Sequence, residues 1–270
     1  MDLVAEFAAP LALEGVLQLS DVPAADVEQV VGWIHDAKSL TMSALEPEAQ
    51  VACARSFVAV QRYMAGLVQR RRAAPEDDLI GSLLAVHADE GDPLETAEVV
   101  NTTLGTMMAG LDTTSSLIVN AMFILLSSPA RWAATREQPD TVPAVLEEAL
   151  RLDSPVPVFI RTAVREATVG RVAIPEGALL ILAYGSANRD PDRFPSPDSY
   201  DPTRSPNPHL AFGHGVHACV GAPLARLEGR IALEALSRLP GLRLQPGQDL
   251  RHVPTLQFRS LVRLAVEWDR

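Results

Sequence analysis

Apolar residues recur at helical spacing through the first half of the chain. Residues 24–42, AADVEQVVGWIHDAKSLTM, predict one helix. Residues 46–72 predict a second, whose basic end at Arg70, Arg71 and Arg72 suits a helix C-terminus. EDDLIGSLLAVHADEG, 76–91, predicts a shorter helix with an acidic start. The long apolar stretch from about Thr96 to Ser127 predicts a central helix. Asp112, Asn120 and several hydroxyls interrupt it, so it reads as a core helix rather than a membrane span. Two further helices are predicted at 129–139 and 142–155, the second closed by Pro155.

The pattern then changes. Residues 158–185 are rich in β-branched positions and broken by VGR and PEG, which predicts short strands and turns. Residues 186–208 hold six prolines and little periodicity. That predicts a long irregular loop, and ordered loops of such length usually serve function. A helix is predicted over 218–239, and strands over 242–268. No internal repeat is visible. The whole reads as one mainly α domain, 1–270, helical over 1–155 and mixed strand and loop over 156–270.

Composition narrows the classes. With 270 residues, 47% of them hydrophobic, the chain can bury a sizeable core. A formal charge of -11 argues against a broad basic surface for nucleic acid. Two cysteines, Cys53 and Cys219, make no disulfide framework, which points to a reducing compartment. Asp2 and Glu6 stand where a signal peptide would be basic. The expectation is a cytoplasmic protein that does not engage a membrane.

The chemistry concentrates in FGHGVHACVG, Phe212 to Gly221. The pattern places Cys219 at the N-terminus of the 218–239 helix, where unpaired amides and the helix dipole favour a thiolate. Gly213, Gly215 and Gly221 permit positive φ and close approach of a flat ligand. Four readings stand: an inert cysteine in a glycine turn, a nucleophile with His217 as base, a zinc ligand, or an axial thiolate on haem iron. The nucleophile reading lacks a third group, and zinc lacks a second nearby cysteine. Cys53 reads as a small core residue. In AGLDTT, an acid and two threonines are poor choices for an apolar helix interior, and Thr113 can bond back to the Ala109 carbonyl and bend the helix. Glu148 and Arg151 share one helix face at i,i+3, a spacing that alone is ordinary for a surface ion pair.

These stretches together resemble the cytochrome P-450 family of haem-thiolate monooxygenases, in its bacterial type. FGHGVHACVG followed by APLARLE is similar to the family's haem loop and next helix. The resemblance implies haem b as cofactor and Cys219 as the iron ligand. It implies that Phe212 shields the sulfur and that His217 and Arg161 (in FIRTA) face the haem propionates. It assigns proton delivery to Asp112 and Thr113, and an anchor for the irregular loop to Glu148, Arg151 and, from YDPTR, Arg204. Met108, Ala109, Val158 and Leu256 are the implied substrate-pocket residues.

MDLVAEFAAPL resembles a segment well inside a bacterial member, so the implied fold is mainly α with small β elements, lacking the family's N-terminal helices and strands. The implied activity is oxidation of a small, mostly apolar metabolite in secondary metabolism, with electrons from an external ferredoxin-type protein. Two other readings stand beside it: a non-redox cyclisation or rearrangement enzyme, and a non-catalytic partner of another biosynthetic enzyme. A shortened fold further implies a homodimer or a complex covering the apolar faces.

Overall fold

The structure, a computed structural model, describes residues 1–20, 22–42, 45–86 and 94–269. A π-helical turn, Val4–Ala8, runs into α1, Ala9–Ser20. There follow α2, Val27–Met42; α3, Pro47–Ala73; α4, Leu79–Val86; α5, Thr96–Leu126; α6, Pro129–Glu137; and α7, Val142–Leu152. Pro47, Pro129 and Pro143 sit in the first turns of their helices, where a missing amide costs nothing. Next come β1, Phe159–Thr162; β2, Ala167–Val169; β3, Val172–Ile174; β4, Leu179–Leu182; the short α8, Tyr184–Ala187; α9, Ala222–Ser237; β5, Arg243–Leu244; and β6, Val266–Glu267. The helix predicted over 76–91 is described only to Val86; its remainder lies outside the described residues.

The chain forms two compact units: Leu11–Asp112, and Met1–Pro10 with Thr113–Arg270. The expected change at residue 155 is therefore a change of secondary structure, not of packing. In the first unit α2 packs along α3, and Ile34, Val60, Met64, Leu67 and Met107 are fully buried. Gly110 allows close approach here, because a Cβ on it would lie 2.5 Å from Cγ2 of Val16. Arg71 departs from the role expected of a basic helix end. It is buried, its Nε donates to Asp78 at 2.6 Å, and the other oxygen of Asp78 accepts from the Gly81 amide at 2.6 Å. The pair joins the end of α3 to the start of α4, which a dipole argument does not require.

The second unit holds the later part of α5 with α6, α7 and α9. Leu117, Ile118, Met122, Leu125, Leu146, Leu150 and Leu233 are buried. α7 packs on α9, and Gly229 of α9 makes room for both neighbours: a Cβ there would meet Leu146 at 3.2 Å and Leu117 at 3.5 Å. Among the described residues the sheets are three antiparallel pairs: β1 with β4, β2 with β3, and β5 with β6. In the first, Phe159 faces Leu182 and Arg161 faces Leu180.

The strands expected across 242–268 shrink, among the described residues, to β5, β6 and two isolated bridges, His252 with Leu261 and Ala265 with Asp2. Pro246 and Pro254 interrupt the run and cannot donate to a ladder.

α5 is the one described helix long and apolar enough to cross a membrane, and 67% of its apolar window is buried inside the protein. Its interior asparagine is satisfied, since Asn120 Nδ2 donates to the carbonyls of Asp153 (3.1 Å) and Arg259 (3.0 Å). That burial is what the interrupted apolar pattern predicts of a core helix.

Candidate functional site

The irregular loop after α8 is held by two side chains of α7. Glu148 and Arg151 are both 0% exposed. Arg151 donates from Nε to one Glu148 oxygen at 2.8 Å and from a terminal nitrogen to the other at 2.7 Å. Its remaining hydrogens reach the carbonyls of Asn188 (2.9 Å), Pro197 (2.6 Å) and Ser199 (3.1 Å). Glu148 also accepts from the Asp201 amide at 2.9 Å and from Asn207 at 3.3 Å. Arg204 Nε stands 3.5 Å from Glu148, and Arg204 donates to the Pro195 carbonyl at 3.0 Å. A guanidinium with five donors is suited to gathering carbonyls from a loop that has no ladder of its own. Asn188 extends the anchor: its side chain donates to Ser154 at 3.0 Å and accepts from the Leu210 amide at 2.6 Å.

That loop leads to Cys219. The Cys219 amide donates to the Phe212 carbonyl at 2.8 Å, which closes the loop on itself. Gly213 (φ 69°) and Gly215 (φ 75°) lie in the left-handed region that favours glycine. Gly221 has φ -79° and caps α9, so it does not use the positive φ that glycine permits. A short 3-10 turn spans Gly215–His217, and α9 begins only at Ala222. Cys219 therefore lies upstream of the helix and not in its first turn, because the chain needs Val220 and Gly221 to turn into the axis. The Cys219 thiol is exposed, as is His217. Val216 and Val220 beside it are 97% and 86% exposed.

Behind the loop, α7 and α9 are cross-linked by charge. Arg226 of α9 forks onto Glu147 at 2.7 and 2.8 Å, and His209 Nε2 lies 3.1 Å from the same carboxylate. Burial raises the Glu147 pKa, but Arg226 and His209 outweigh it and hold the group down at about 2. The Arg226 guanidinium lies 4.6 Å over the Phe212 ring. The pKa of Arg226 is raised by its bond to Glu147 and, to a smaller degree, by the charge of Cys219. None of Glu147, His209 and Arg226 was singled out by sequence pattern. The run of two acids in LEEALR was the available signal, but it does not tell which acid points at which neighbour.

The other sequence candidates fall as follows. Arg161 is partly buried on β1, stacks 4.6 Å over Phe159 and donates to the Ile160 carbonyl at 2.9 Å. On α5, Asp112 pairs with Lys38 of α2, the one lysine of the chain, whose side chain is buried. Thr113 is half-buried, and α5 runs through it without interruption. Met108 is half-buried and Ala109 exposed; Val158 is half-buried and Leu256 exposed.

The cysteine loop fits haem on the chemistry of its donors. Among the described residues no group of three or more His, Cys, Asp or Glu can hold a metal. A lone soft thiolate can bind only a metal that arrives with its other ligands, as a porphyrin iron does. The bare valines flanking the sulfur and the glycine backbone suit a flat apolar face. Cys219 would bind the iron, with Arg161 and His217 as candidate partners for the propionates.

Comparisons with known proteins bear on the family of the chain. Residues 133–264 match the family model for cytochrome P450. The chain is 39% identical to cytochrome P450 107B1 of Saccharopolyspora erythraea, over 98% of this chain and 64% of that protein. It is 37% identical to 6-deoxyerythronolide B hydroxylase of the same organism, over 100% and 66%. Among solved structures, P450BioI in complex with a hexadec-9Z-enoic acid ligated acyl carrier protein superposes with a TM-score of 0.91 at 36% identity, covering 100% of this chain and 69% of that one. The chain thus spans about two thirds of the length of the relatives it matches.

Proposed function

The chain belongs to the cytochrome P450 family, and we propose that it carries haem-thiolate oxidation of a small, mostly apolar metabolite. The observation that supports this best is the exposed Cys219 thiol, flanked by exposed valines on a loop closed by its own backbone. A hydroxylase among the relatives supports the reaction class. A thiolate-bound haem supplies reductive activation of oxygen. The protein supplies the rest. Cys219 would hold the iron as its protein ligand. The Glu147–His209–Arg226 cluster and the Phe212 carbonyl fix the loop that presents it. Arg161 and His217 balance the propionate charge.

Asp112 and Thr113 are the candidates for proton delivery on α5, and Asp112 is paired with Lys38. A separate ferredoxin-type protein delivers electrons. The absorption spectrum of the purified protein, reduced and exposed to carbon monoxide, tests the reading directly: a thiolate-type band supports it, and a colourless protein after haem reconstitution overturns it.

Thr113→Ala is expected to divert donor electrons from product into peroxide, with product formation falling about 10²–10⁴-fold, the usual effect of losing a positioned proton. Peroxide release and product yield per electron pair measure it. Unchanged coupling would mean that the hydroxyl serves only its own helix.

A further inference from the structure

A cavity of about 160 Å³ lies in the second unit, and the scheme above makes no use of it. Phe123, Ile124 and Leu152 give it apolar walls, and Arg131, Arg189 and Arg259 bring three guanidinium groups to it. Two carboxylates answer those three charges: Arg189 pairs with Asp198, and Arg259 with Asp153. Arg131 is the cation left over. Among the described residues it donates to the Ile124 carbonyl at 3.3 Å and lies 4.9 Å over the Tyr200 ring, and no acid pairs with it. The ring beneath it does not supply the missing charge. Burial pushes the Tyr200 phenol up to about 12, against the opposing pull of Arg131, so the ring is neutral at ordinary pH.

The cations are also held in place by the fold. The Arg259 amide donates to the Pro155 carbonyl at 2.9 Å, and its carbonyl accepts from Asn120 at 3.0 Å. Arg189 donates from a terminal nitrogen to the Leu152 carbonyl at 2.8 Å. Tyr200 follows Ser199, whose carbonyl is bound by the buried Arg151. Donors fixed in advance lose little freedom when a ligand arrives. A carboxylate offers two oxygens, which one guanidinium fork can match by itself. Three guanidinium groups from three segments of chain suit an anion with acceptors on every side.

We propose that this cavity binds a tetrahedral oxyanion, either inorganic phosphate or the phosphate group of a small metabolite. Arg131 supplies the uncompensated charge, Arg189 and Arg259 supply further donors, and the apolar walls strengthen each contact by keeping water away. The bound anion ties the end of α5 and the start of α6 to the irregular loop that leads to Cys219. The site does not depend on the haem-thiolate reading.

The test is calorimetric titration of the 270-residue chain with inorganic phosphate, at ionic strength held constant with sodium chloride so that screening does not change. The wild type is expected to saturate at one site with a Kd of about 1 mM or tighter. Arg131→Met keeps the apolar stem and removes the charge, and is expected to weaken binding about 10- to 100-fold, the usual size for a hydrogen bond to a charged group. Asp198→Asn has the opposite sign. The Asp198 side chain is 80% exposed, so the change costs the fold little, and it removes the acid that competes with the anion for Arg189. Binding is expected to tighten about two- to fivefold. That gain cannot come from misfolding, so it keeps the test open should Arg131→Met fail to fold. Titration with phenyl phosphate separates the two sources: tighter binding than phosphate assigns the site to an organic phosphate, and equal or weaker binding to the free ion. A wild type that does not saturate by about 10 mM phosphate, or a Kd unmoved in both variants, overturns the site.

Discussion

Cys219→Ala is expected to abolish the thiolate-type spectrum and all product formation while leaving the fold intact. The thiol is exposed, so its removal opens no cavity and costs little stability. The loop is closed by the Cys219 amide on the Phe212 carbonyl, and alanine keeps that bond. Arg226 stays forked on Glu147 and stacked on Phe212. No other cysteine can replace the ligand, since Cys53 lies on α3. The variant should therefore melt close to the wild type and differ in its spectrum and its product formation. Reduced carbon monoxide spectra and melting curves of both proteins check this. A variant that keeps the thiolate-type band would show that the ligand is elsewhere.

Arg151→Met is expected to cost about 3–5 kcal/mol, the range for breaking a buried ion pair from one side. Methionine fills most of the space but leaves the Glu148 carboxylate uncompensated at 0% exposure. It also strips the carbonyls of Asn188, Pro197 and Ser199 of their donor. A simple buried pair would be rescued by making both members apolar. Here the double change Glu148→Leu with Arg151→Met should rescue little, because the loop carbonyls and the Asp201 amide stay unpaired. Urea unfolding midpoints for the single and double variants decide it. A single-variant loss under about 1 kcal/mol, or full rescue by the double, would show that the pair does not anchor the loop. Loosening of residues 188–201 in hydrogen exchange should accompany the loss.

Much of the architecture was legible because it repeats along the chain. The apolar positions of α2, α3, α5 and α7 recur at the helical period, and prolines mark several helix starts. The interruptions of α5 by Asp112 and Asn120 already pointed away from a membrane span, and Asn120 finds its partners in the interior while Asp112 is exposed. The cysteine loop was legible for a different reason: glycines, histidine and cysteine at fixed spacing are read without knowing the fold. The strands after residue 242 were not legible in this way, since β-branched residues predict pairing while Pro246 and Pro254 limit it.

What the sequence determined by itself was therefore local: helix periods, the loop around Cys219, and the i,i+3 pair on α7. Only the tertiary structure decided which side chains meet. Glu147 and Glu148 are adjacent and chemically identical. One turns to His209 and Arg226 and is held ionised, while the other turns to Arg151 and the loop carbonyls. Glu228 is one more acid in the sequence of α9, but packing buries it and leaves its Oε1 without a hydrogen-bond partner among the described residues. The expected dipole role of Arg71 gave way to an ion pair for the same reason. Charge and burial are properties of a neighbourhood, and neighbours far apart in sequence are set by packing, not by period.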